Sequence, residues 1–227
     1  AFTDANGITG RWSSGSGAMH LTGSATKADY EAALESITYQ NTNTDDPNNT
    51  NRTITWVVND GSTSSSGVTS TITVADVNDA PELSAAGSTL AYIEDDAATV
   101  IDASLTIEDV DDTDIESASI TISSGYQSSE DVLAFTDANG ISGAWDSGTG
   151  VMTLTGSATK ANYEAALESI TYENTTSKND DPDNTSRTIT WVVNDGTDNS
   201  SAVTSTIPVT VNDAPELSGT DGTLAYS

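Results

Sequence analysis

Repetition limits what this chain can fold into more than any other feature of its sequence. The run "AFTDANGITG" at 1–10 returns as "AFTDANGISG" at 134–143, an offset of 133 residues. The segments 21–28 and 52–61 return at 154–161 and 187–196, and "VNDAPEL" at 77–83 returns at 211–217, an offset of 134. A period of about one domain's length means tandem copies that each build their own core. It predicts the back part of one repeat over residues 1–83, a complete repeat over 84–217 and the start of a third over 218–227.

Inside each copy the dominant signal is period-two alternation. Residues 98–107, 118–122, 151–155, 188–193 and 203–211 alternate β-branched and polar side chains, separated by Gly-Thr-Gly at 148–150, Asn-Asp-Gly at 194–196 and Asp-Ala-Asn-Gly at 137–140. Many short strands with such turn chemistry predict an all-β sandwich. One segment breaks the alternation. Tyr163, Ala166, Leu167 and Ile170 fall three and four apart behind Thr159, a good N-cap, and the first copy repeats them as Tyr30, Ala33, Leu34 and Ile37 behind Thr26 and Asp29, a capping box. Each repeat is therefore expected to carry one short helix on an end or flank of the sandwich. The loops 41–51 and 174–186 differ in length, as surface loops do.

Charge narrows the chemistry. The chain has 35 acidic and 6 basic residues, a formal net charge of -29. A polyanion of this density is repelled by nucleic acid and anionic membranes, and it favours cations that neutralise it. With no cysteine, disulfides and thiolate zinc sites are excluded, and composition fits an extracellular setting. The chain starts at Ala1 without a leader or a long apolar span, and it reads as an excerpt of something longer.

The acids cluster where a cation would want them. Glu108-Asp109-Val110-Asp111-Asp112-Thr113-Asp114-Ile115-Glu116 lies between two predicted strands, without the glycine and glutamate spacing of an EF-hand. The reading is a calcium loop, against the alternative of a solvated acidic turn. In a sandwich, the loop after the second strand and the loop before the last share the pole of the incoming linker. Linker residues Asp76, Asn78 and Asp79 are thus expected to share calcium with Glu94, Asp95, Asp109, Asp111, Asp112, Asp114 and Asp195. Glu94 and Asp95 have the competing reading of a charged, blunted edge strand. Asn212 and Asp213 would await a following domain, and Asp60 a preceding linker.

Together, "LTGSATKANYEAALESITYENT", "RTITWVVNDG" and "VNDAPEL" resemble the cadherin-like tandem repeats of giant bacterial surface adhesins and related RTX-type secreted proteins. The resemblance covers essentially the whole chain, although the glycine-rich calcium nonapeptide of RTX β-rolls is absent. It implies tandem cadherin-like or immunoglobulin-like β-sandwiches exported to the cell surface, with calcium at the junctions. The implied role is a stalk or extracellular fibre whose partners are neighbouring repeats.

Other residues offer less. Trp56 and Trp191 alternate with Ile and Val and are expected in cores, whereas Trp12 and Trp145 in a glycine-bounded hairpin are the candidates for stacking on glycans. His20 alternates outward as a surface residue. One histidine, no cysteine, no nucleophile-elbow motif and no P-loop argue against an enzyme. Two alternatives to a stalk remain: a glycan-binding module, and a subunit of a self-assembling filament.

Overall fold

The computed structural model describes residues 1–84, 87–176 and 182–211. They fall into two compact units, Ala1–Asp76 and Val77–Ser227. The division lies ahead of the expected 83/84 boundary. Leu83 is buried in the second unit's core, and the residues around it pair there, so the Asn-Asp-Ala-Pro segment opens the second unit. Residues 218–227, expected to begin a third repeat, lie outside the described residues.

In the first unit β1 (Thr9–Ser13) and β2 (Ala18–Thr22) form one antiparallel hairpin, followed by α1 (Lys27–Glu35) and a second hairpin of β3 (Arg52–Trp56) and β4 (Val68–Ile72). The capping box is present: the Asp29 N–H donates to the Thr26 hydroxyl at 3.2 Å, and the Thr26 N–H donates to the Asp29 carboxylate at 3.2 Å.

The second unit contains β5 (Glu82–Ser84), β6 (Tyr92–Ile93), β7 (Thr99–Val100), β8 (Thr106–Glu108), β9 (Asp114–Ser124), β10 (Asp131–Ala134), β11 (Ser142–Asp146), β12 (Val151–Thr159), α2 (Lys160–Leu167), β13 (Thr171–Asn174), β14 (Arg187–Asn194), β15 (Val203–Ile207) and β16 (Val209–Thr210). The main sheet runs β11-β12-β9-β14-β15, antiparallel throughout. The remaining strands make β10-β13-β7, β5-β8 and the parallel pair β16-β6. Period two puts Ala118, Ile120 and Ile122 of β9, Met152 and Leu154 of β12, and Ile189, Trp191 and Val193 of β14 into one core with Leu83, Tyr92, Ile107, Leu133 and Tyr172, and Ile115 joins it out of phase, beyond the register shift between Thr155 and Ala158. The result is an all-β sandwich with one short helix.

Two predicted strands are broken, each at an identifiable residue. The run 98–107 divides into β7 and β8 because Asp102 turns inward, where its carboxylate accepts the hydroxyls of Ser88, Ser104 and Ser205 at 2.7, 2.6 and 2.8 Å. The run 203–211 divides at Pro208, which has no N–H for the ladder; β16 leaves the main sheet and pairs in parallel with β6. The helix stripe behaves as its spacing predicts, with Tyr163, Ala166, Leu167 and Ile170 all buried. Tyr163 also donates its hydroxyl to Gly156 O at 2.7 Å, and Tyr30 repeats this contact to Gly23 O. The aromatics divide. Trp191 is fully buried, and Trp145 packs against the core and meets Tyr126 edge-on at 6.1 Å, so it is no open platform.

Candidate metal centre

Pairing of β5 with β8 sets Glu82 opposite Glu108. That register returns the chain after β8 to the segment that precedes β5, and the acidic loop meets the Asn-Asp-Ala-Pro segment. The Asp79 N–H donates to Asp111 Oδ2 at 3.0 Å, while the Asn78 side-chain amide donates to Asp195 Oδ2 at 3.0 Å and Asp198 Oδ2 at 3.2 Å. Asp195 stands at the end of β14 in a tight turn. Its Oδ1 accepts the N–H groups of Thr197 and Asp198 at 2.6 and 2.8 Å. The first unit repeats this turn, with Asp60 Oδ1 accepting from Ser62 and Thr63 at 2.8 and 2.9 Å.

Within the acidic loop, Asp109 Oδ1 accepts the N–H groups of Asp111 and Asp112 at 3.2 and 3.0 Å. The loop is clamped from the other side by Lys160, first residue of α2, whose ammonium donates to the carbonyls of Asp109 and Asp112 at 2.6 and 2.7 Å. Each of Asp109, Asp111 and Asp112 contributes one oxygen to a group whose atoms all lie within 4.8 Å of one another. Oxygens about 2.3–2.6 Å from a calcium ion span such a distance.

Two features show that the carboxylates are poorly compensated. Asp109 Oδ2 and Asp111 Oδ1 are buried and have no hydrogen-bond partner, a costly arrangement for a charged oxygen. Burial, assisted by Asp111, also pushes the Asp109 carboxyl above its ordinary range, and burial with the charges of Asp109, Asp111 and Asp195 does the same for Asp112, against a partial offset from Lys160. Asp195 moves the other way. Burial raises it, but the Asn78 amide and the N–H groups of its turn outweigh that and leave the carboxyl below the ordinary range. The donor set, all oxygen with orphaned lone pairs, fits a hard divalent cation.

The other candidates lie elsewhere. Asp114 is exposed as the first residue of β9, outside the three-residue group. Asp76 is exposed and ends the first unit. Glu94 and Asp95 follow β6, whose Tyr92 stacks edge-on against Tyr172 at 4.9 Å. Tyr172 donates to Asp131, which pairs with Arg187 at the start of β14. Asp195 follows the other end of that strand, eight residues long, or about 26 Å from Arg187 at the rise of an extended chain. Glu94 and Asp95 therefore belong to the opposite pole and do not share an ion with Asp109. The cause is β6 running on beside β16 beyond the end of β15. Asn212 and Asp213 lie outside the described residues.

Sequence reasoning missed Asp198, which has Thr63 as its counterpart and so no repeat signal, and Lys160, whose counterpart Lys27 is exposed and pairs with Glu31. It also missed the buried ion pair at the far pole, where Arg187 donates to both Asp131 oxygens at 3.1 Å and to Glu130 at 3.3 Å.

No family model matches the chain. A protein named halomucin, from Haloquadratum walsbyi, is 37% identical to it over 101 residues, which is 42% of this chain. The likeness spans 1% of that protein's length. No helix among the described residues is long and apolar enough to cross a membrane.

Proposed function

We propose that this chain is a structural stretch of an extracellular surface protein, a stalk or fibre repeat whose incoming linkers are stiffened by calcium. One observation carries the reading: Asn78 and Asp79 are tied by hydrogen bonds to Asp195, Asp198 and Asp111, beside two carboxylate oxygens that have no partner. An ion bound at Asp109, Asp111 and Asp112 would supply the positive charge that these oxygens lack. The protein's own groups do the rest. The Asp79 N–H and the Asn78 amide hold the linker on the loop, and Lys160 holds the loop on α2. The partial likeness to halomucin supports placement at a cell surface, and the 134-residue linker offset supports serial use of one junction. The role is mechanical and non-enzymatic, with neighbouring repeats as the partners.

Calcium bound only by the native state stabilises it by mass action, about 2.7 kcal/mol at a hundredfold excess over Kd. Small-angle X-ray scattering of the 227-residue chain in calcium and in chelator tests the stiffening. A shorter maximum dimension and a broader distance distribution in chelator are expected. Identical profiles would refute the mechanical role.

A further inference from the structure

We propose that Lys160 is the positioning residue of the cation centre and sets its affinity, an inference that rests on the calcium reading of that centre. Local sequence works against a lysine there. It is the first residue of α2, where the helix dipole disfavours a positive charge, and the first turn carries no acidic residue to offset it. Glu164, one turn on, accepts the Ile107 N–H instead. The partners of Lys160 are remote. Its ammonium donates to the carbonyls of Asp112 and Asp109, 48 and 51 residues earlier, and its N–H donates to Thr113 O at 3.2 Å. Thr159, just before it, pairs with Asp114 where β12 meets β9. The start of the helix is thus fastened to the acidic loop along the loop's length.

Those bonds decide which oxygens remain for an ion. Asp109 Oδ1 is occupied by the N–H groups of Asp111 and Asp112, and the carbonyls of Asp109, Asp112 and Thr113 are occupied by Lys160. What remains are the buried, unpartnered Asp109 Oδ2 and Asp111 Oδ1, with Asp112 in the same group of oxygens within 4.8 Å of one another. Lys160 acts on a cation there in two opposite ways. Its charge repels one, so removing the charge alone would tighten binding; its hydrogen bonds hold like-charged carboxylates together, so removing the bonds would weaken it. Lys160 is half-buried, and water and salt screen its charge, whereas its two side-chain bonds to the loop are short and charge-assisted. Positioning therefore outweighs repulsion, and the loop is preorganised by a residue outside the ligand set.

The test is calorimetric titration of calcium into the 227-residue chain, the Lys160→Met variant and the Lys160→Arg variant, at neutral pH and at low and high ionic strength. Lys160 lies outside the buried core, so its replacement leaves the sandwich folded. Lys160→Met should bind calcium about tenfold more weakly, the loss typical of removing a group that orients metal ligands, and the factor should persist in high salt. Lys160→Arg, which keeps both charge and donors, should recover most of the affinity. Equal or tighter binding by Lys160→Met, a factor that vanishes in high salt, or a melting temperature lowered equally in calcium and in chelator would overturn the positioning role while leaving the calcium site in place. No saturable calcium binding by the parent chain would overturn the site itself, and this proposal with it.

Discussion

Asp109 and Asp112 carry carboxyl groups held above the ordinary range by burial and by neighbouring carboxylates, Asp111 beside Asp109 and Asp109, Asp111 and Asp195 beside Asp112. A raised carboxyl favours the folded state when protonated, so that contribution is present at low pH and is lost as pH rises through the folded value. A cation needs the ionised form. The stabilisation it brings should therefore be full at neutral pH and shrink as pH falls toward about 4, where protons compete for the same oxygens. Melting curves in calcium and in chelator from pH 7 down to 4 check this. Asp102 responds oppositely: burial raises it, but the three serine hydroxyls outweigh burial and hold it low, so its contribution is lost on acidification. At the far pole, Asp131→Asn removes the fully buried carboxylate partner of Arg187, leaving it only the longer contacts to Glu130 and Asp183, and should cost about 3–5 kcal/mol, measurable as a lower urea midpoint. The acidic loop was legible because its carboxylates are contiguous. The Asp131–Arg187 pair was not, because its members are 56 residues apart and each looks like an ordinary strand-end charge.

Elements show the same division between local and distant causes. Both helices could be read from spacing and caps, since those signals lie within one or two turns. Four strands of the main sheet, β12, β9, β14 and β15, could be read from alternation, as β14 with its alternating burial illustrates, whereas β11 was marked only by its glycine-bounded hairpin. Strand interruptions at Asp102 and Pro208 depended on serines and a β6 partner from remote parts of the chain, and so did the position of Glu94 and Asp95. Glycine marks another close approach. At Gly156 φ is +131°, and an added Cβ would lie 2.2 Å from Gly140 O; Gly23 and Gly7 repeat the arrangement. Gly156→Ala should destabilise the second unit by about 1–3 kcal/mol, through strain and displacement of the carbonyl that receives Tyr163. A thermal melt of the variant reads the loss directly. The Asp29→Ala change, which removes half of a capping box, should cost about 1 kcal/mol in the first unit.

At the scale of the whole chain, a net charge of -29 makes self-repulsion a term in every equilibrium. Monovalent salt screens it generally and without saturation at a fixed stoichiometry, whereas a specific site saturates and depends on three aspartates. Differential scanning calorimetry of the 227-residue chain at constant ionic strength, in chelator and in millimolar calcium, separates these effects when the Asp111→Asn variant is run beside it. Calcium should raise the second unit's transition by about 5–10 °C, the shift expected for a native-state ligand on a domain of this size, and should leave the variant nearly unmoved. No shift in the parent chain, or an equal shift in both, would contradict a cation centre at Asp109, Asp111 and Asp112.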